Sequence, residues 1–438
     1  MPTESELEYL YGLTRFGIKP GLAVMERMME LLGHPERKFK SIHVTGTNGK
    51  GSTCAMIESI LRTAGYTTAL YTSPHIYTFN ERIRVQGISI SDEALTALVS
   101  EIRNAIADKN IQPTFFEFTT ALAYLYFARS TIDIAIIEVG MGGRYDATNV
   151  ITPVLSVITN VGLDHMEYLG PTTADIATEK AGIIKKGIPV ITAEKDSDIL
   201  HIFDSEAAEK HTSVVRVDDV VQAKLLSADL DGQEVQVSFR PPSRNLRVDP
   251  GSRPGMTSVI HLPLLGSHQI ENMKTAIAAL VPLTLTLSPS GERGSAIATG
   301  IANTVWEGRM QIVSQKPLII LDGAHNQDGA YALAVFLTTL SQADTIVFAA
   351  KKDKDISNML QSVIPLFSQV IITEGSFMPE AAEAIAKQIR AIHVNVSIEK
   401  NVDTALRQAI AKTPQDGTII VTGSLYMIAD ALAYFKTA

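Results

Sequence analysis

The chain has 438 residues, a length that predicts two or three domains, because a single hydrophobic core stops growing below this size. Hydrophobic residues make up 45% of it and charged residues 19%, as in ordinary soluble enzymes, and the net charge of −9 argues against a surface for nucleic acid or anionic membranes. A single cysteine excludes a disulfide framework and favours a reducing compartment, the cytoplasm. No secretory signal opens the chain, and no apolar run approaches the roughly 18 residues of a membrane-spanning helix.

The predicted elements between Ser41 and Thr192 alternate short apolar strands with helical patterns. This alternation is typical of a largely parallel sheet with helices on both faces. The predicted strands are 42–45, 67–72, 132–139, 153–159 and 188–192. Residues 213–262 form strand-like pieces around Asp231-Gly232, which predicts antiparallel hairpins, and a helix is expected at 268–281.

Beyond Trp306 the strand-helix rhythm restarts in five segments. These are LIILD, TIVFAA, QVIIT, HVNVSI and TIIVTG. Because 295–305 has the pattern of a last helix, we place the boundary near Gly308. The predicted fold class is therefore α/β, with a P-loop-type mononucleotide-binding domain at 1–307, mostly a parallel sheet with a small antiparallel part, and a Rossmann-like α/β domain at 308–438.

A glycine-rich loop, TGTNGKGS at 45–52, follows the first strand of the sheet. It does not match the Walker spacing, since the position five before Gly49 is Val44. Its glycines nonetheless let the backbone turn tightly around an anion at the start of a helix. The sequence therefore predicts a phosphate-binding loop, and a plain strand-to-helix connection is the alternative.

Three side chains of this loop have chemistry suited to a nucleotide. Lys50 is placed to neutralise a β- or γ-phosphate, and Ser52 or Thr53 is placed to ligate a Mg²⁺ ion that bridges phosphate oxygens. Because the chain carries a net negative charge, an anionic ligand must be bound by local groups such as these.

Further polar residues follow the strands after this loop. Glu138 ends a buried strand and opens a glycine-rich segment with Arg144 and Asp146. A carboxylate there is costly unless it is paired, so Glu138 is either a Mg²⁺ ligand or the partner of Arg144 in an ion pair. Asp164 and His165 follow the next strand, where a histidine is also common as an ordinary loop residue.

A third cluster, TEKAGIIKKG at 178–187, contains Lys180 in a helical pattern. Without the other clusters, this segment would be interpreted as a solvent-exposed helix face. Together the clusters resemble the folylpolyglutamate synthase/dihydrofolate synthase family of the Mur-ligase superfamily, with motifs in the same order along nearly the whole chain. The motifs are HVTGTNGKGS (43–52), TSPHIYTFNERI (72–83), FFEFTTALAY (115–124), EVGMGGRYDATN (138–149), GLDHMEYLG (162–170), EKAGIIK (179–185), WEGRM (306–310), DGAHN (322–326), DKD (353–355) and VTGSLY (421–426).

The resemblance implies a reaction. Members of this family transfer the γ-phosphate of ATP to a carboxylate, and the amino group of L-glutamate attacks the acyl phosphate to form an amide. The implied substrates are ATP, L-glutamate and dihydropteroate or a reduced folate. The chain is expected to act as a monomer without nucleic acid or membrane. The resemblance does not decide whether both synthase activities are present.

It also assigns the cofactors. Ser52, Glu138 and His165 match the family's magnesium positions, with two Mg²⁺ ions expected. Lys180 matches the lysine that carries a CO₂-derived carbamate, which turns a cation into an anion next to metal and phosphate. Lys185 is the alternative, because sequence alone cannot orient two lysines that are five residues apart.

The remaining implied positions bind nucleotide, pterin or glutamate. The resemblance assigns catalysis to Lys50, Lys180, His165 and His325, and nucleotide binding to Thr47, Asn48, Gly49, Lys50, Gly51, Ser52, Thr53, Arg309 and Asp322. It assigns substrate binding to Ser73, His75, Arg82, Phe116, Asp146, His325 and Ser424, with residues 17–35 as a pterin-contacting loop and first helix. Phe116 is alternatively a core residue, and Arg309 alternatively an interdomain salt bridge. Such a split site would make the chemistry depend on domain closure.

Some residues depart from the family pattern. Gln327 stands where a proline usually follows DGAHN, and Ala349-Ala350-Lys351-Lys352 replaces a glycine-containing segment. Residues 284–295 form a longer loop than usual. Two other functions remain open: another Mur-superfamily ligase, which usually has an additional amino-terminal domain, and a nucleotide-binding regulator without ligase activity.

Overall fold

A computed structural model describes residues 4–13, 21–239, 256–281, 290–340, 343–352 and 356–437. The chain contacts divide into two units. The first comprises Met1–Ser227, Glu234–Leu262 and Glu271–Thr304, and the second comprises Ala228–Gln233, Pro263–Ile270 and Val305–Ala438. Within the described ranges, no helix is long and apolar enough to cross a bilayer. The predicted division at 307/308 stays a prediction.

The first unit contains, among its described residues, an eight-stranded sheet in the order β4-β3-β2-β5-β1-β6-β7-β8. Its strands are β1 (Ser41–Thr45), β2 (Thr68–Tyr71), β3 (Ile83–Val85), β4 (Ile88–Ser89), β5 (Ile134–Glu138), β6 (Leu155–Ile158), β7 (Val190–Thr192) and β8 (Val214–Arg216). The pairs from β2 to β8 are parallel, whereas β3 pairs antiparallel with β2 and with β4.

The described part of the chain up to residue 304 also contains helices. They are α1 (Glu4–Gly12), α2 (Ala23–Leu31), α3 (Lys50–Thr63), α4 (Asp92–Ile106), α5 (Phe115–Arg129), α6 (Met166–Leu169), α7 (Thr173–Ala181), α8 (Ser197–Glu209), α9 (Val217–Val220), α10 (Ser267–Leu280) and α11 (Ser290–Ala302). Local sequence fixes several of the starts: Thr114 and Glu117 form a capping box at α5, and Thr172 and Asp175 do so at α7. One core cluster of the unit includes Leu98, Phe118, Tyr124 and Ile137.

The five strands predicted in this region are present, with ends within two residues of the expected positions. The prediction of hairpins from residue 213 onward was wrong for its first piece, because β8 pairs parallel with β7. The remaining pieces form a three-stranded sheet in the order β11-β10-β9, with β9 (Val221–Asp229), β10 (Gly232–Phe239) and β11 (Met256–Leu262). Asp229 accepts hydrogen bonds from two backbone N–H groups of the tight turn between β9 and β10.

Two predicted loops are affected by the range of the structure. Residues 240–255 lie outside the described residues, as do 284–289 of the predicted 284–295 loop. The rest of that loop was assigned wrongly, because α11 begins at Ser290.

The second unit contains a six-stranded sheet within its described residues, in the order β12-β13-β17-β14-β15-β16. Its elements are β12 (Gln311–Gln315), β13 (Leu318–Asp322), α12 (Gln327–Leu337), β14 (Thr345–Phe348), α13 (Ser357–Val363), β15 (Gln369–Ile372), α14 (Ala382–Ile389), β16 (Val396–Ile398), α15 (Val402–Lys412), β17 (Thr418–Thr422) and α16 (Leu425–Thr437). The five predicted strands are present and parallel, and each precedes a helix. The antiparallel edge strand β12 was not predicted.

The central strands of the first unit bring the polar loops together. Strand β1 lies between β5 and β6, with Val44 in register with Glu138 and Thr45 in register with Ile158. The segments that follow these strands therefore leave the same edge of the sheet side by side. This carboxyl edge is where open α/β sheets bind ligands.

Candidate active site

The glycine-rich loop after β1 is fixed by the segment that follows β6. Thr47 N–H donates to the Asn160 backbone carbonyl (2.9 Å), and Asn48 N–H donates to Asn160 Oδ1 (2.8 Å). The Thr159 hydroxyl donates to the Asn48 carbonyl (2.6 Å). The loop thus has a defined shape that depends on residues more than 100 positions away.

The start of α3 offers the groups that an anion requires. Gly49 is its N-cap, with φ of 80°, so the backbone enters the helix through a conformation that glycine tolerates. The first N–H groups of a helix have no partner within the helix, and the positive end of its dipole lies there. Lys50 Nζ donates to the carbonyls of Gly46 (2.9 Å) and Thr47 (3.1 Å), so its charge stays at the loop.

Gly46 is packed more tightly than any side chain would allow. Its φ is 151°, and a Cβ atom built on it would lie 1.8 Å from Thr159 Oγ1. We expect Gly46→Ala to weaken ATP binding by on the order of tenfold or more, because the loop must move away from Thr159. Isothermal titration with ATP and Mg²⁺ measures this effect.

Gly65→Ala is the matched control for this prediction. Gly65 also has a positive φ, of 90°, but a Cβ there would meet nothing within 4 Å. Both variants carry backbone strain, and only Gly46→Ala adds the collision. Equal ATP affinities in the two variants would show that the close approach to Thr159 does not shape the site.

A cavity opens at the carboxyl edge of the first unit's sheet. Its lining includes Gly46, Lys50, Gly142, Asp164, His165 and Lys180. The structure therefore brings together residues of the 45–52 loop, the loop after β5, the segment after β6 and helix α7. These are the four clusters that the sequence singled out in the first domain.

Lys180 is a buried lysine in this cavity. Its exposed fraction is 3%, and burial, with a further contribution from the charge of Lys50, lowers its pKa to about 7. A lysine with such a pKa exists in part as the uncharged amine near neutral pH, and that form is a nucleophile. Lys185, the alternative, is oriented differently: its Nζ donates to the Asn149 carbonyl at 3.0 Å.

Glu138 ends β5 with 4% exposure, and its Oε2 accepts a hydrogen bond from Ser73 N–H at 2.8 Å. Glu138 also contributes to raising the pKa of the Cys54 thiol in α3, after burial itself. The ion pairs of Arg144 are with Glu179 (4.0 Å) and Glu206 (3.5 Å). The carboxylate of Glu138 is thus placed beside the first turns of α3.

The predicted magnesium ligands fit an ion that binds together with a nucleotide. Among the described residues, no group of three or more His, Cys, Asp or Glu side chains is arranged to hold a metal. Ser52 and Glu138 supply oxygen donors, which Mg²⁺ prefers, and His165 supplies a nitrogen. Mg²⁺ usually takes a few protein ligands and completes its shell with phosphate oxygens and water, and the assignment of these three residues to it stays a prediction.

Asp146 and Phe116 both contact the glycine-rich segment after β5. Asp146 Oδ2 accepts from Met141 N–H (2.9 Å), and Oδ1 accepts from Thr148 N–H (3.0 Å). Phe116 is half-buried against the core, and its ring would lie 2.5 Å from a Cβ on Gly140. Both Phe116 hypotheses therefore retain support, since one part of the ring packs and another is accessible.

The predicted substrate segment after β2 forms one small cluster. Arg82 Nε donates to His75 Nδ1 (2.9 Å), and the Arg82 guanidinium lies 5.3 Å from the centre of the Phe115 ring. Burial and the Arg82 charge lower the pKa of His75 to about 4, so the imidazole is neutral at pH 7. Ser73 contacts Glu138 through its backbone.

In the second unit, Asp322 anchors a turn. Its carboxylate accepts hydrogen bonds from Met310 N–H (3.0 Å) and Ala324 N–H (3.0 Å). Arg309 Nη1 lies close to Gly323, where an added Cβ would be 2.6 Å from it. The structure therefore places Arg309 and Asp322 together at the end of β13.

His325 and Ser424 follow neighbouring parallel strands. His325 Nδ1 lies 2.8 Å from the Gly323 carbonyl, and the Ser424 hydroxyl accepts from Tyr426 N–H at 3.3 Å. Gln327, which stands where the family usually has proline, begins α12, and Asn326 caps this helix by accepting from Gly329 N–H (2.9 Å). The DKD motif at 353–355 lies outside the described residues.

The glycine-free segment before DKD is held by backbone hydrogen bonds. Ala349 N–H donates to the Thr422 carbonyl (3.3 Å), and the Ala350 carbonyl accepts from Glu380 N–H (2.8 Å). The buried residues Ala349 and Ala350 therefore form these backbone hydrogen bonds in a segment where the family usually contains glycine.

Several residues of this site were missed by sequence reasoning. Asn160, which lies just before the GLDHMEYLG motif, was given no role. Asn272 of α10 was not considered, although its Oδ1 would lie 2.2 Å from a Cβ on Gly49 and so packs on the phosphate loop. The run GSHQIEN at 266–272, a glycine with polar residues at a helix start, was the available signal.

Two family models match this chain. Residues 44–280 match the Mur ligase middle domain, and residues 307–434 match the dihydrofolate synthetase C-terminal domain. Dihydrofolate synthase/folylpolyglutamate synthase of Bacillus subtilis is 38% identical over 96% of both chains. Folylpolyglutamate synthase of Lacticaseibacillus casei is 37% identical over 91% of both chains.

Solved structures agree. Mycobacterium tuberculosis folylpolyglutamate synthase, complexed with ADP and AMPPCP, superposes with a TM-score of 0.87 at 30% identity over 98% of both chains. E. coli FolC in complex with DHPP and ADP superposes with a TM-score of 0.87 at 31% identity, covering 100% of this chain and 98% of that chain. Together, these matches and the geometry at the sheet edge show that the chain belongs to the dihydrofolate synthase/folylpolyglutamate synthase family of the Mur ligases.

Proposed function

We propose that this chain is an ATP- and Mg²⁺-dependent ligase that joins L-glutamate to dihydropteroate, to a reduced folate, or to both. The observation that carries this proposal is the cavity in which Lys50 of the phosphate loop meets the buried Lys180. A plain strand-to-helix connection needs neither lysine. The family membership supplies the reaction class, and the cavity supplies the groups.

In the proposed reaction, a carboxylate oxygen attacks the γ-phosphorus of ATP and ADP leaves. The glutamate nitrogen then attacks the carbonyl carbon of the acyl phosphate, and inorganic phosphate leaves as the amide forms. Both reactants of the first step are anions, so their repulsion must be offset. Lys50 and the amino end of α3 provide positive charge at the loop where the phosphates would lie.

Ser52, Glu138 and His165 would hold Mg²⁺, with a second ion held partly by a carbamate on Lys180. Bound Mg²⁺ supplies charge neutralisation at the phosphates. The carbamate forms when the unprotonated Nζ attacks CO₂ and a proton is released, so the low pKa of Lys180 supports it. The orientation of Lys185 toward Asn149 supports Lys180 over that alternative.

The substrate groups are proposed from the remaining clusters. Asp146 would accept hydrogen bonds from the pterin N–H groups, and Phe116 would stack on the ring. Ser73, His75 and Arg82 would contact the rest of the acid substrate. The guanidinium of Arg82 suits a carboxylate, and the neutral His75 leaves that charge undiminished.

In the second unit, Asp322 and Arg309 would bind nucleotide, and His325 and Ser424 would bind glutamate. The positions of these four side chains at the carboxyl ends of parallel strands support the assignment. Domains at 1–307 and 308–438, a monomeric state and a cytoplasmic location complete the proposal.

A single assay tests this function. Release of phosphate from ATP should require both glutamate and an acid substrate, offered as dihydropteroate or as a reduced folate monoglutamate. Mass spectrometry of the products shows which substrate is extended and by how many glutamates. ATP binding without turnover under all these conditions would favour the nucleotide-binding regulator.

A further inference from the structure

A chain of buried polar groups connects β1 to the loop after β5. His43 Nε2 lies 2.8 Å from the Thr148 hydroxyl, and that hydroxyl donates a short hydrogen bond to Asp146 Oδ1. His43 and Thr148 are fully buried, and Asp146 is 8% exposed. The chain therefore ends at the carboxylate for which we propose pterin binding.

The direction of these hydrogen bonds follows from the donors present. A hydroxyl has one hydrogen, and that of Thr148 is donated to Asp146. His43 Nε2 must therefore carry the hydrogen that it shares with Thr148. Burial lowers the pKa of His43 to about 3, which agrees with a neutral ring protonated on Nε2 alone.

The imidazole of His43 is energetically unfavourable at this position. Within the part of the chain that the structure describes, its Nδ1 is buried and has no hydrogen-bond partner. The neighbours of His43 in register are Ile137 and Ser156, in the middle of a parallel sheet where aliphatic residues are usual. An aliphatic residue would avoid the unsatisfied nitrogen, so the stability of the strand does not explain the histidine.

The Thr148 backbone is held independently of its side chain. Tyr124 Oη donates to the Thr148 carbonyl (2.8 Å), and Thr148 N–H donates to Asp146 (3.0 Å). Thr148 also belongs to a short 3₁₀ helix, Ala147–Val150. The segment is therefore held in place without the Thr148 hydroxyl. The hydroxyl itself contacts His43 and Asp146.

We propose that His43 and Thr148 are positioning residues for the pterin substrate: together they fix the orientation of the Asp146 carboxylate. This inference rests on the proposed function. Burial raises the pKa of Asp146, and the hydrogen bonds from Thr148, Met141 and Gly140 oppose that rise. An ionised, fixed carboxylate accepts two parallel N–H donors from a pyrimidine edge of the ring, whereas a protonated or rotated one does not.

Thr148→Val and Thr148→Ser form a matched pair, because valine has the shape of threonine without the hydroxyl and serine keeps the hydroxyl. We expect Thr148→Val to raise the KM for dihydropteroate about tenfold, the loss of one charge-assisted hydrogen bond. Its KM values for ATP and glutamate should stay within about twofold of wild type by the same reasoning. Thr148→Ser should restore the dihydropteroate KM.

A second pair tests His43. Glutamine can donate an amide hydrogen to Thr148, and leucine cannot. We expect His43→Leu to raise the dihydropteroate KM and His43→Gln to raise it less, with melting temperatures measured to verify that both variants fold. A fluorescence titration of dihydropteroate in the presence of ADP gives the same comparison without turnover.

The outcomes separate this inference from the function on which it rests. A wild-type chain that couples ATP and glutamate to neither dihydropteroate nor a reduced folate would overturn the proposed function. An active wild type with an unchanged dihydropteroate KM in Thr148→Val would overturn the positioning role. Equal rises in the KM of all three substrates would assign His43 and Thr148 a general structural role instead.

Discussion

Lys180→Ala should lower kcat by on the order of 10²- to 10³-fold, the size of effect seen when one preorganised charged or polar group is removed from a reacting centre. Lys180 is buried in the cavity beside Lys50, and its pKa of about 7 makes the free amine available at neutral pH. As a carbamate it would supply an anionic oxygen donor for Mg²⁺. Alanine removes both the amine and that donor.

Rescue distinguishes this role from a loss of packing. The alanine variant leaves a space the size of the lost side chain, so bicarbonate, formate or acetate at high concentration should restore part of the activity. Lys185→Ala is the control, since Lys185 also has a pKa lowered by burial but donates to the Asn149 carbonyl. Full activity of Lys180→Ala would remove Lys180 from the mechanism.

The proposed reaction of the Lys180 amine with CO₂ should depend on pH. Burial lowers its folded pKa below the unfolded value, so the protonated form is disfavoured in the folded protein. The amine is mostly neutral above about pH 7, and it becomes protonated and unreactive toward CO₂ as the pH falls below that value. In CO₂-depleted buffer, added bicarbonate should therefore stimulate the enzyme more strongly above pH 7 than below it.

Lys50→Met should lower kcat by a similar factor, on the order of 10²- to 10³-fold, because it removes the cation closest to the proposed phosphates. Lys50 Nζ donates to the Gly46 and Thr47 carbonyls, so the ammonium is already at the phosphate loop. Methionine keeps most of the side-chain volume and removes the charge. Initial-rate kinetics with varied ATP measure both the kcat and the KM.

Lys40→Met is the matched control for this substitution. Lys40 precedes the same strand at its opposite end and is exposed. We expect Lys40→Met to leave kcat unchanged. If activity depended only on the overall positive charge of the chain, Lys40→Met and Lys50→Met would lower kcat equally. A Lys50→Met variant with unchanged kcat and unchanged KM for ATP would contradict the phosphate role.

The sequence was sufficient for the architecture. The central strands of the two largely parallel sheets, such as β1, β5, β14 and β17, are buried, so they appear as short continuous apolar runs between helical patterns. Edge strands gave no such signal: β4 has two residues, and β12 is half-buried and antiparallel. The parallel pairing of β8 was missed because a short strand does not reveal its partner.

The site was only partly predictable for a related reason. Lys50, Glu138, His165 and Lys180 belong to recognisable local motifs. The contacts of Asn160 with the phosphate loop, or of His43 with Thr148, join residues more than 100 positions apart, and a single sequence does not show such pairs. The orientation of Lys180 relative to Lys185 likewise depends on how α7 packs.

The hydrogen bonds from Thr47 and Asn48 to Asn160 have a consequence for recognition. Those two amides are occupied internally, so an incoming triphosphate would be recognised by the N–H groups that begin at the helix itself. The conformational entropy of the loop is lost when the protein folds and not when the nucleotide binds. Ordering of the loop therefore subtracts less from the binding free energy of the nucleotide. Capture should then be limited by diffusion more than by rearrangement of the polypeptide.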